Sequence, residues 1–154
     1  MVKKFCKKYK LPEKSLFDIL SHMEEVSFSK GELIIKKGER NSNFYLIRKG
    51  IWRAYYLADG TENSLWFVGP GEVAFSSWGY VDGEPSQINI ESVNGSTAYC
   101  ISKAELENLF SHSIEMANFG RKIFERAILS VDSSTLAYGC LLYTSPSPRD
   151  RTRS

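Results

Sequence analysis

Histidine is scarce in this chain. Among 154 residues there are two, His22 and His112, and cysteine occurs three times, at Cys6, Cys100 and Cys140. A metal-dependent enzyme of the cupin type needs several His and carboxylate ligands converging from its strands. His22 falls in a helix-like run and His112 between two helices, neither on a strand, which argues against that class. The cysteines lack metal-like spacing and make no disulfide framework, and Cys100 reads as a core thiol on a strand. A Ser-His-acid set, a glycine-rich phosphate loop and a workable Cys-His pair are missing as well. These gaps predict a protein that is not an enzyme and holds neither metal nor cofactor. No apolar run approaches the roughly 20 residues that span a bilayer. The basic start Met1-Val2-Lys3-Lys4-Phe5-Cys6-Lys7-Lys8 has no apolar stretch behind it, so it is not a secretory signal. A cytoplasmic location without a membrane partner is expected.

A strong excess of one charge is also missing: 20 basic residues stand against 18 acidic ones. Even that small excess sits at the end. From Cys140 the composition shifts to Ser, Pro, Thr and Arg, and the string to Ser154 resembles a translated sequencing-library adapter. A disordered basic tail is the plainer alternative. On the adapter reading residues 140–154 are non-native and the native frame is interrupted near Gly139. Without Arg149, Arg151, Arg153 and Asp150 the remainder holds 17 residues of each sign. Residues 1–139 then carry no electrostatic footprint for nucleic acid. The cluster Lys3, Lys4, Lys7, Lys8 and Lys10 reads as a solvated helix face or, alternatively, a phosphate-binding patch.

What is present is one domain with ordinary globular composition, 42% hydrophobic and 25% charged,. Pro12 suits a first helical turn, and Leu16, Ile19, Leu20 and Met23 recur at spacings of three and four, predicting a helix over 11–26. The period then changes. Short β-rich runs at 33–35, 44–47, 51–57, 64–68, 73–75, 87–93 and 97–101 are bounded by turn residues. Asp59-Gly60 and Asn94-Gly95 predict tight hairpins. Closely spaced strands of this kind predict a sandwich, barrel or jelly roll. Ser102-Lys-Ala-Glu105 is a capping box for a helix with Leu106, Leu109 and Phe110 on its apolar face. A further helix starts near Ser113. Met116, Phe119 and Ile123 form one side of it. Ala117, Gly120, Phe124, Ala127 and Val131 follow the alternation of a coiled-coil seam, predicting either a homodimer contact or packing on the roll.

The ordered set Lys30-Gly31-Glu32, Lys37-Gly38-Glu39, Phe44-Tyr45-Leu46-Ile47-Arg48-Lys49-Gly50, Pro70-Gly71-Glu72, Asp82-Gly83-Glu84-Pro85 and Ala98-Tyr99-Cys100-Ile101-Ser102 resembles the cyclic-nucleotide-binding domain of Crp/Fnr-type transcription regulators, over residues 11 to about 131. The resemblance implies a mainly β fold, a double-stranded β-helix or jelly roll with an N-terminal helix and C-terminal helices. It implies a sensor domain at 1–139 that ends in the start of a dimerisation helix. DNA would be read only through a C-terminal helix-turn-helix domain, absent from this sequence. A stand-alone ligand-binding roll, or the sensor of a kinase or channel, is the alternative.

In that family a Gly-Glu pair and a later Pro-Arg-Ser or Pro-Arg-Thr hold the nucleotide: backbone N–H groups and arginine on the phosphate, glutamate on the ribose. Here Phe75-Ser76 and Ser86-Gln87 stand in those places, and Arg48 and Arg53 belong to earlier strands. Losing a charged hydrogen bond of this kind costs about 1.5–3 kcal/mol, at least tenfold in affinity, which argues against cyclic AMP held in the family manner. Gly71, Glu72, Phe75, Ser76, Ser77, Trp78, Ser86 and Gln87 are the expected ligand-binding residues. The small-molecule ligand is uncharged or weakly anionic, unless Phe75, Trp78 and Tyr80 simply fill the pocket. Trp52 and Trp66 read as packing residues; Trp78 is expected beside the ligand.

Overall fold

A computed structural model describes the backbone of residues 1–144 and the side chains of residues 1–130. The chain opens with helices α1 (Val2–Tyr9) and α2 (Glu13–Leu20). Eight strands follow: β1 (Glu24–Phe28), β2 (Leu33–Ile35), β3 (Phe44–Lys49), β4 (Trp52–Ala58), β5 (Thr61–Val68), β6 (Val73–Phe75), β7 (Asn89–Ser92) and β8 (Ser96–Ile101). A five-residue π-turn, Trp78–Asp82, lies between β6 and β7, and helices α3 (Lys103–His112) and α4 (Ile114–Thr144) close the chain.

The strands make two antiparallel four-stranded sheets, in the orders β1-β8-β3-β6 and β2-β7-β4-β5. The expected jelly roll is thus the observed architecture. Successive side chains on a strand point to opposite faces, and β3 is buried on both. Tyr45 and Ile47 pack between the sheets with Trp52, Ala54, Ile90 and Ala98. Phe44 and Leu46 face the helices and join Phe5, Leu16, Ile19, Leu106, Phe119 and Ile123. The uninterrupted apolar run of β3 follows from this double burial. The indole N–H of the fully buried Trp52 donates to Ser96 Oγ at 2.8 Å, and Ser96 is 2.6 Å from Ser92 Oγ.

Two expectations change, the extent of the first helix and the hairpin at Asn94-Gly95, while the lysine cluster lies on an exposed helix face as expected. The helix read over 11–26 ends at Leu20; Ser21 and Met23 close its last turn by N–H bonds to the carbonyls of Phe17 and Leu20. Glu24–Phe28 is instead an edge strand paired with β8, Val26 opposite Ala98. The lysine-rich start forms a helix of its own. Phe5 and Tyr9 form its buried face, with ring centroids 4.6 Å apart, while Lys3, Lys4, Lys7 and Lys10 are exposed. Asp59-Gly60 makes the tight hairpin between β4 and β5, both residues at positive φ (53° and 76°). Asn94-Gly95 does not make one: β7 and β8 lie in different sheets, and Asn94 accepts the Ile51 N–H at 2.8 Å where the chain crosses between them. The Ser102 half of the capping box is present, Ser102 Oγ accepting from the Glu105 N–H at 3.2 Å. Of the region expected as a tail, 140–144 continues α4 and the rest lies outside the described residues.

Candidate functional site

The segment from Gly71 to Ile88 carries every residue expected to bind a ligand, and the fold disperses them. Gly71 is buried under α1, where a Cβ would lie 3.0 Å from the Met1 carbonyl oxygen and 3.1 Å from the Phe5 nitrogen. Glu72 accepts from Gly69 N–H at 3.2 Å and from Lys8 Nζ at 2.5 Å, tying α1 to the start of β6. Ser76 is fully buried and its hydroxyl accepts the Gly79 N–H at 3.2 Å inside the π-turn. Ser86 is equally buried; its hydroxyl donates to the Ile88 carbonyl at 2.8 Å and accepts the Ile88 N–H at 3.2 Å. Both hydroxyls therefore serve their own backbone. Ser77, Trp78 and Gln87 are exposed.

Aromatic rings dominate what remains. Phe75 stacks on Phe44 at 5.7 Å, meets Tyr80 at 5.7 Å and meets Phe124 of α4 edge-on at 5.4 Å; Tyr80 and Phe124 are 5.3 Å apart. Tyr80 Oη donates to Glu107 of α3 at 3.1 Å. Burial first, and then this carboxylate, push its phenol well above the usual tyrosine range,.

Two cavities flank this cluster. The first, ≈ 700 Å³, is an open apolar groove between the π-turn, α3 and α4. The second, ≈ 440 Å³, lies between β5–β6, α1 and α4. Phe75 and Ser77 border both, and Glu72 borders the second; Gly71, Ser76, Trp78, Ser86 and Gln87 border neither. Lys8, Trp66 and Arg126 border the second cavity and were not among the expected site residues. One signal for Arg126 was available: it continues the three-four spacing of Met116, Phe119 and Ile123, whose side chains are buried, so the core-facing stripe of α4 ends in a cation. Arg48 and Arg53 are committed elsewhere, Arg48 to Glu25 at 2.9 Å and Arg53 to Glu62 and to Glu91.

The expected seam residues divide. Ala117, Phe124 and Ala127 border the first groove, as does Ile128, which is 63% exposed. Gly120 borders the same groove and is also packed against α3: a Cβ there would lie 2.4 Å from Phe110 Cζ. The Val131 side chain lies outside the described residues. Among the described residues no group of His, Cys, Asp and Glu is placed to hold a metal, and no helix is long and apolar enough to cross a membrane.

Two antiparallel sheets rolled around one core, with a turn-bearing segment between β6 and β7 facing a long helix, define a β-roll. The model of the cyclic nucleotide-binding domain matches residues 25–113, and the chain belongs to that family. No curated protein matches it. Among solved structures it is similar to the c-di-GMP responsive global regulator CLP of Xanthomonas campestris (14% identity, TM-score 0.77, covering 87% of this chain and 66% of that one). It is also similar to the catabolite activator protein of Thermus thermophilus (18%, TM-score 0.69, 84% and 61%). A cyclic nucleotide-binding domain from Methylobacillus flagellatus matches at 14% identity with a TM-score of 0.74, over 95% and 85%. The chain thus spans about two thirds or less of the two regulators' length, and at these identities the likeness is one of fold.

Proposed function

We propose that this chain is the ligand-sensing and dimerising part of a Crp/Fnr-type transcription regulator. The observation that carries the reading is the contact of Phe75 with Phe124. A ligand entering either cavity meets a ring that is packed on α4, so occupancy of the roll and the position of α4 are linked. Ligands favour whichever position they bind better, by their difference in affinity. The ligand is a small molecule, and cyclic AMP is not held in the family manner: the side chain of Phe75 occupies the glycine position and no arginine follows Pro85. The apolar groove bordered by Ala117, Phe124, Ala127 and Ile128 is the contact for a second copy. DNA would be read by a helix-turn-helix module following α4.

Sedimentation velocity of the chain across a concentration series tests the assembly. A monomer–dimer equilibrium is expected, and a strict monomer at the highest concentration removes the dimer from the reading. Calorimetric titration with cyclic AMP is expected to show no saturable binding; tight binding would sink the argument from Phe75 and Ser86.

A further inference from the structure

The second cavity has a charge that the roll itself does not supply. Its walls are largely apolar and aromatic, including Trp66, Val73 and Phe75, and its volume of ≈ 440 Å³ suits a small ligand,. Three charged residues border it: Lys8, Glu72 and Arg126. Lys8 and Glu72 are joined at 2.5 Å and cancel. Arg126 has no acidic partner among the described residues, so the cavity keeps its positive charge. The adjoining cleft is no sink for it. There Arg121 pairs with Glu125 at 2.6 Å, while Lys122 donates to the carbonyl of Lys10. A guanidinium at the mouth of an aromatic cavity recognises a planar anion by a charge-assisted fork.

We infer that this cavity binds a small aromatic monoanion, its ring against Trp66 and Phe75 and its anionic head on Arg126. Both Arg126 and Lys8 lie outside the span 25–113 that matches the family model. The anion is therefore held from the flanking helices, and the segment from β6 to β7, where the family's arginine would stand, contributes no cation, only the ring of Phe75 and the small Ser77. The inference rests on the proposed reading that the crevice between roll and α4 is a ligand site, and adds the chemistry of its occupant.

The test uses 2-naphthoate and its neutral counterpart 2-naphthylmethanol, titrated into the full chain by calorimetry. The naphthoate is expected to bind one to one, about tenfold or more tighter than the alcohol. Arg126→Gln should weaken the naphthoate about tenfold and leave the alcohol unchanged, and Arg126→Lys should restore part of the loss. Arg48→Gln removes the same charge at a distance and should change neither; circular dichroism checks that each variant folds. Equal binding of the two compounds to the parent chain, or absence of binding by both, overturns the inference even if Arg126→Gln does not fold. Sedimentation with and without 2-naphthoate separates the two levels. Charge-selective binding without any effect on assembly leaves the anion site standing and counts against the sensor reading. A ligand-linked change in assembly that Arg126→Gln does not alter does the reverse.

Discussion

Replacing Gly79 by alanine places a methyl group where the fold has no room. The added Cβ would lie 2.0 Å from the carbonyl oxygen of Asn41 and 2.7 Å from its carbonyl carbon. Ordinary contacts between such atoms are roughly 3.5 Å, so the π-turn and the loop at Asn41 must part by more than about 1 Å. Neither side gives easily. Asn41 is pinned by its side chain, which donates to Tyr45 Oη at 3.1 Å and accepts the Asn43 N–H at 2.9 Å. Gly79 is pinned by Ser76, and the turn beyond it by Tyr80 on Glu107. Overpacking costs about 1–3 kcal/mol, and a clash with backbone belongs at the upper end. Alanine recovers about 0.4–1 kcal/mol by restricting the unfolded chain. The net loss is about 2 kcal/mol, or about 4–8 °C in Tm for a chain of this size. Urea unfolding followed by tryptophan fluorescence measures it. Gly95→Ala is the control, since a Cβ there meets nothing within 4 Å and its φ is not positive; it should stay within about 0.5 kcal/mol. If Gly79→Ala is as stable as Gly95→Ala, the tight seat of the π-turn is refuted.

Ser96→Ala leaves the Trp52 indole N–H buried without its acceptor and should cost about 1–3 kcal/mol in urea unfolding; a neutral result means that another acceptor takes over. Burial first raises the Tyr9 phenol from 10.0 to about 12. Between those values the unfolded chain loses this proton and the folded one keeps it. The stability held below pH 10 therefore falls as pH rises, by up to about 1.4 kcal/mol per pH unit. Tyr9→Phe should flatten that alkaline slope in melts taken from pH 9 to 12, and an unchanged slope assigns it to other groups. Ile128→Asp alters an exposed residue of α4. On the proposed reading it abolishes self-association in sedimentation while the melting temperature of dilute protein is kept within a few degrees; persistence of the dimer moves the interface elsewhere.

How legible each part was in the sequence depended on whether local pattern or distant partners decided it. The run 44–47 was readable because a strand buried on both faces has no polar position. Asp59-Gly60 was readable because its flanking strands pair with each other. Asn94-Gly95 carries the same local signal but spans two sheets, and only the tertiary arrangement shows that. The edge strand at Glu24 was hidden because Met23 extends the helical spacing of Leu16, Ile19 and Leu20, and because two glutamates hide the alternation of Val26 and Phe28. Ser76 and Ser86 looked available for a ligand. Their hydroxyls close contacts with Gly79 and Ile88, two or three residues away, and residue type alone does not distinguish the two uses. Arg126 was the reverse case, a surface-type residue whose place in the stripe of Met116 and Ile123 aimed it at a cavity.

Phe75 explains why these departures from the family pattern belong together. A glycine at the end of β6 leaves room for a ligand's phosphate against the backbone; a phenyl ring takes that room. The ring brings a large apolar surface that has to be buried, and Phe44, Tyr80 and Phe124 bury it. On the proposed reading the phosphate seat is filled and an arginine after Pro85 would have no anion to face; Ser86 in its place satisfies the local backbone. The positive charge of the crevice is carried by Arg126 on the far wall, which belongs to α4. On the proposed reading a ligand therefore binds with one end on the helix that it controls. Its affinity then includes the cost of moving α4, so any substitution that loosens the contact between Phe75 and Phe124 should tighten ligand binding while weakening its effect on assembly.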